Sequence, residues 1–98
     1  MQPPGGARII LKLYVTGSSP RSELARTNLE HICGVLPPRA VEVEVIDVVA
    51  RPQLAEDERL LATPVVVRET PPPSRRVIGD LSDHASVLAG LDLAGGLS

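Results

Sequence analysis

A chain of 98 residues with 43% apolar content and a formal net charge of -2 has room for one globular domain and no second. Its 10 basic and 12 acidic residues are interspersed, and Tyr14 is its sole aromatic side chain, which excludes the basic stripe and stacking rings of a nucleic-acid reader. No apolar run approaches the ~20 residues that a membrane-spanning helix needs, and one cysteine, Cys33, leaves no internal disulfide, so the expected setting is cytoplasmic and reduced.

Residues 1–8 open on Met1-Gln2-Pro3-Pro4-Gly5-Gly6 and read as a flexible leader; 94–98 read as a flexible tail, leaving 9–93 as a single domain. Ile9 to Thr16 is rich in branched residues, with its odd positions forming one apolar face, and reads as a central strand. Gly17-Ser18 turns the chain, Ser19 is suited to cap a helix and Pro20 to open it. Ala25, Leu29, Ile32 and Leu36 then recur at helical spacing, with Arg21, Glu23, Arg26 and Glu30 outside, until Gly34 and Pro37-Pro38 stop the helix. Val41 to Val48 alternates and then turns apolar, giving a second strand whose connection through a helix makes it parallel to the first.

The second half is less uniform. Pro52 to Leu61 reads as a short helix opened by proline, Val65-Val66-Val67 as a strand, and Thr70-Pro71-Pro72-Pro73-Ser74 as a rigid connector. Arg75 to Ile78 forms a fourth strand, after which Ser82 is expected to cap a last helix with Val87, Leu88 and Leu91 inward. Gly90 inside that helix weakens it by roughly 1 kcal/mol relative to Ala. Divided local propensity of this kind is what a chain with two near-degenerate packings shows.

The order β-α-β-α-β-β-α, with Thr63-Pro64 leading into the third strand, resembles the thioredoxin fold, where a proline at that place commonly follows a cis peptide bond. Redox members of that fold hold a Cys-x-x-Cys pair at the start of the first helix; here the place reads Gly17-Ser18-Ser19-Pro20. Leu11-Lys12-Leu13-Tyr14-Val15-Thr16-Gly17, the run from Val45-Ile46-Asp47-Val48 through Pro52-Gln53-Leu54-Ala55-Glu56, Leu61-Ala62-Thr63-Pro64, Pro71-Pro72-Pro73, Arg75-Arg76-Val77-Ile78-Gly79-Asp80-Leu81-Ser82-Asp83 and Gly90-Leu91-Asp92-Leu93 are similar to the KaiB circadian-clock family. The resemblance covers about Leu11 to Leu93.

What the resemblance implies is a non-catalytic regulatory protein without cofactor or metal that binds the ring-shaped ATPase KaiC and, in cyanobacteria, sequesters KaiA. It implies two arrangements, an oligomeric ground state (dimer or tetramer) and a monomeric thioredoxin-like form that binds KaiC, the difference lying after Arg51. The family's switch residues fall on Gly90 and Asp92, and the tyrosine associated with the ground-state oligomer on Tyr14. Thr63, Pro64, Pro71, Pro72 and Pro73 join the switch set, and Arg75 and Arg76, presented side by side after the prolines, are read as a partner contact. By this reading Gly90→Ala favours the thioredoxin-like form through helix propensity, and Asp92→Arg acts the same way by resemblance. The absent acidic tail, Val65-Val66 at the start of the third strand and Pro37-Pro38-Arg39 depart from cyanobacterial members and point to a divergent or non-cyanobacterial homologue serving a clock, a timer or a stress response.

Other chemistries have weaker support. Cys33 lies late on an amphipathic helix without a second cysteine and reads as a buried spectator thiol rather than an oxidoreductase nucleophile. His31 and His84 are far apart in sequence and suggest no metal site, and Asp80, Asp83 and His84 read as helix capping rather than acid catalysis. An adaptor resembling the input domain of certain histidine kinases is the alternative function, acting in trans.

Overall fold

Seven elements follow one another as β1 (Ile9–Val15), α1 (Pro20–Cys33), β2 (Val41–Asp47), α2 (Pro52–Asp57), β3 (Val65–Thr70), β4 (Arg75–Ile78) and α3 (His84–Gly90). The computed structural model describes residues 9–34, 41–60, 63–70 and 72–93. The leader, Leu36, Pro37-Pro38-Arg39, Leu61-Ala62, Pro71 and the tail lie outside the described residues.

The strands form one sheet in the order β2-β1-β3-β4. β1 runs parallel to β2, with Leu13 opposite Val45, and antiparallel to β3, with Leu13 opposite Val66. β4 closes the sheet antiparallel to β3. Because side chains alternate across a strand, β1 sends Leu11, Leu13 and Val15 to one face and Tyr14 to the other. On the first face Ala25, Leu29 and Ile32 of α1 meet Val87 of α3 and the following Leu91 and Leu93. On the second, Tyr14, Ile46, Val65 and Val67 are covered by Val48 and by Leu54 and Leu60 at α2. Helices therefore flank both faces of the sheet, the thioredoxin-like arrangement expected from the element order.

α1 begins where Ser19 Oγ accepts the Ser22 N–H at 3.3 Å, with Pro20 in the first turn, as the sequence indicates. α3 begins one residue later than expected. Its cap is Asp83, whose carboxylate accepts the Ser86 N–H at 3.1 Å and the Ser86 hydroxyl at 2.8 Å, whereas the Ser82 N–H is spent on Asp80 Oδ1. A carboxylate complements the positive end of the helix better than a hydroxyl does, which selects Asp83. β3 also outruns its Val-Val-Val start, continuing through Arg68 to Thr70. β2 lies at the sheet edge, so Val43 and Val45 remain partly exposed beside α1.

Candidate partner-binding face

The β1–α1 loop occupies the place where a redox thioredoxin carries its thiols, and its geometry is that of a fixed turn. Gly17 takes φ +55°, a left-handed conformation open to glycine, and its N–H donates to Asp47 Oδ1 at 3.0 Å. The same oxygen accepts the Val49 N–H at 2.9 Å. These backbone donors, Gly17 foremost, hold the Asp47 carboxyl below the usual carboxylate range. Ser22, fully buried, accepts the Thr16 N–H at 3.1 Å and the Ser19 hydroxyl at 2.9 Å. Ser19 is thus committed to the helix start, with no imidazole or thiol among its hydrogen-bond partners in the described residues. Opposite it, the Thr63–Pro64 peptide bond is cis, and the Thr63 hydroxyl is hydrogen-bonded to the Thr16 hydroxyl. Cys33 sits at the far end of α1, where burial pushes its thiol above the ordinary range, away from the reactive thiolate.

The second set of expected residues converges on the end of α3. Gly90 is the last residue of α3, and a Cβ built on it would stand 2.7 Å from Val77 Cγ2 of β4. Close approach of helix and strand therefore needs glycine here. The expected gain for Gly90→Ala in helix propensity, about 1 kcal/mol, thus meets an opposing overpacking cost of about 1–3 kcal/mol at Val77. Past the C-cap Leu91, Asp92 adopts φ +59°. Its N–H donates to the Ala89 carbonyl at 3.0 Å and the Leu93 N–H to the Leu88 carbonyl at 2.7 Å, the paired bonds of a Schellman ending. Asp92 is doubly unsuited to that position. The left-handed conformation favours glycine, and the negative end of α3 favours a cation.

α2 ends in the same way. Arg59, at φ +53°, donates its N–H to the Glu56 carbonyl at 3.1 Å, and Leu60 donates to the Ala55 carbonyl at 3.0 Å. Leu81, at φ +65° and buried, is a further left-handed residue. Among the described residues, every non-glycine with positive φ lies after Arg51.

Arg68 was invisible to pattern reasoning because arginine in a strand is ordinarily solvated. Here it is 3% exposed, and it donates from Nε to the Leu91 carbonyl at 2.6 Å and from Nη2 to the Pro73 carbonyl at 3.3 Å. One guanidinium thereby ties β3, the proline turn and the end of α3. Its only sequence signal is the continuation of a β-rich run through Arg68-Glu69-Thr70. The Pro72–Pro73 bond in that turn is cis.

Arg75 and Arg76 are both exposed, yet successive strand residues face opposite sides of the sheet, so they do not form the joint guanidinium patch expected of them. Arg76 stands in register with Val67, on the α2 side, and donates from Nη2 to the Glu58 carbonyl at 3.1 Å. Arg75 stands opposite Arg68. Tyr14 is 1% exposed, enclosed between the sheet and α2, so a partner contact through its ring requires a different arrangement of the second half.

The KaiB domain profile matches residues 12–93, nearly the whole of the sheet and its helices. The chain belongs to the KaiB family. Over 86 residues it is 45% identical to the circadian clock protein KaiB3 of Synechocystis sp., spanning 88% of this chain and 84% of that one. Over 84 residues it is 49% identical to the circadian clock oscillator protein KaiB of Acaryochloris marina, spanning 86% and 81%. Among solved structures it is similar to the N-terminal domain of Synechococcus elongatus SasA, with TM-score 0.70, 28% identity and coverage of 88% and 84%. Mitochondrial thioredoxin 3 of Saccharomyces cerevisiae aligns with TM-score 0.70 at 15% identity, covering 86% of this chain and 76% of that one, which shows the shared fold alone. This KaiB-family chain thus has the thioredoxin-like arrangement, with serines at the redox position.

Proposed function

We propose that this KaiB-family chain is a non-catalytic, cytoplasmic regulator that binds a KaiC-like hexameric ATPase in circadian or timer signalling, with the thioredoxin-like arrangement as the binding form. The observation that carries this reading is the family match across residues 12–93 combined with a redox position whose serine caps a helix. A switch between two arrangements is part of the proposal, and the concentration of left-handed residues supports it. Arg59 and Leu81 each carry a conformational cost of roughly 1–2 kcal/mol and Asp92, whose short polar side chain tolerates this region better, a smaller one, all in the half that would refold. A few kcal/mol is the gap at which a minor arrangement is populated at roughly 0.1–10%.

In this reading Tyr14 belongs to the oligomeric ground state, while Arg75, exposed on β4, remains available to a partner. The partner captures the fraction already in the binding form, so its apparent affinity scales with that fraction. The test is capture of a hexameric RecA-like ATPase from the same organism, with and without ATP. Nucleotide-dependent capture is expected, and no capture under either condition overturns the reading.

The likeness to the SasA domain supports a second reading, an adaptor in two-component or stress signalling. Capture of a histidine kinase in place of the ATPase would favour it. A thiol oxidoreductase is the remaining alternative, and a peroxide or insulin-reduction assay with Cys33→Ser decides it, no Cys33-dependent turnover being expected.

A further inference from the structure

Two histidines that are remote in sequence meet at the junction of α1 and α3. His31 occupies the last turn of α1 and His84 is the first residue of α3; their ring centroids are 6.1 Å apart and the planes are inclined by 57°. Zinc–imidazole bonds of about 2.0–2.1 Å place two ligating rings with centroids roughly 5–6 Å apart, close to the separation of this pair.

Asn28, on the same helix as His31, supplies the outer contact that such a pair needs. Its amide nitrogen donates to the Asp80 carbonyl at 2.7 Å, which turns its oxygen toward His84 Nε2 at 3.4 Å. That oxygen selects the tautomer with hydrogen on Nε2 and leaves the lone pair on Nδ1. A ligating histidine commonly carries its other N–H on a carbonyl in this way. Among the described residues no three His, Cys, Asp or Glu side chains converge on one point. Two imidazoles, with water completing the shell, constitute the site.

We infer that His31 and His84 form a bis-imidazole site for a borderline divalent transition metal, zinc in the first instance, which clamps α3 onto α1. Imidazole ligands suit zinc, copper and nickel rather than the oxygen-seeking magnesium and calcium. A cation bridging the pair adds a bond between the first half of the chain and its last helix. It therefore favours the arrangement in which those two helices touch.

The test is titration of Zn2+ alone into the tag-free full chain, read by the imidazole NMR signals and by thermal unfolding. Because the chain holds 2 histidines, His31→Ala and His84→Ala assign both signals. Saturable movement of both signals together is expected, reversed by EDTA, with a rise in Tm of roughly 4–8 °C. Each single variant should lose that rise and weaken binding at least about 10-fold, and Asn28→Ala should weaken it by roughly 10-fold with both histidines retained. His31 is exposed on its helix, so His31→Ala leaves the core intact and keeps the comparison interpretable. Movement of one signal alone, no saturable binding, or a Tm rise that survives in both histidine variants overturns the inference.

Discussion

Arg68 Nε lies 2.6 Å from the carbonyl oxygen of Leu91, so a buried guanidinium on β3 holds the carbonyl that ends α3. The same group reaches the Pro73 carbonyl, which makes the proline turn and the helix end share one donor. A helix of seven residues has little intrinsic stability, and its position depends on such tertiary ties.

Arg68→Ala removes a charged donor from buried carbonyls and should destabilise this arrangement by about 1.5–3 kcal/mol, with Arg68→Lys recovering only part of the loss because an ammonium lacks the planar fork. Urea unfolding together with the amide NMR signals of α3 measures both effects. Unchanged α3 signals in Arg68→Ala would count against the tie.

Gly90 and Val77 form a packing pair whose coupling is measurable. In a Val77→Ala background, Gly90→Ala should stabilise α3 by about 1 kcal/mol; with Val77 present, the gain should be smaller by at least about 1 kcal/mol. A double-mutant cycle in denaturant gives the difference directly, and additive effects would contradict the 2.7 Å approach.

Asp92→Gly relieves both a left-handed side chain and a negative charge at the end of α3, so it should stabilise this arrangement by about 1–2 kcal/mol. The structure also supplies a local reason for Asp92→Arg to act in the same direction, namely the helix dipole, with a smaller gain because the left-handed cost remains. Arg59→Gly relieves backbone cost at α2 but gives up a favourable cation, leaving a net effect below that of Asp92→Gly. Thermal unfolding of the three variants ranks them.

Tyr14 is a built-in optical probe, since it is the sole aromatic residue. Burial, with the Glu58, Glu69 and Glu44 charges acting in the same direction, pushes its hydroxyl up to about 12. An unfolded tyrosine ionises near about 10. The folded group therefore holds its proton more tightly, and this contribution to stability is complete below about pH 10 and is lost as pH rises toward 12. Absorbance at the phenolate band should show the midpoint near 12 in this arrangement. A midpoint near about 10 in the folded chain would place the ring in solvent.

At the acid end the sign reverses. Asp47, Asp80 and Asp83 are lowered chiefly by hydrogen bonds from Gly17, Ser82 and Ser86 respectively. Each contributes stability above the unfolded carboxyl value of about 3.9 that is lost as pH falls through the lower folded values. Asp47→Asn should flatten the acid limb of a urea-midpoint profile and loosen the β1–α1 loop, which amide exchange at Gly17 reports.

The first half of the chain was legible because its signals are local and agree with one another. Ser19-Pro20 states a helix start, Ala25-Leu29-Ile32 states its inner face, and the odd positions of Ile9–Val15 state a strand face; each is satisfied where the sequence puts it. The absence of a thiol pair was equally plain from Ser18 and Ser19. Beyond Arg51 the local signals state elements but not their contacts. The strandward run of Val65-Val66-Val67 did not disclose that Arg68 is buried, because a lone arginine gains a partner only when a helix end arrives beside it.

By itself, then, the sequence determined the element order, the family and the serine-bearing loop, all properties of neighbouring residues or of ordered blocks. Tertiary structure alone decided that Arg68 is buried against the end of α3, that Gly90 must spare Val77 a methyl group, and that His31 meets His84. The physical reason is common to them. Packing distance and burial are relations between segments remote in the chain, and no local pattern encodes them until the sheet brings those segments together.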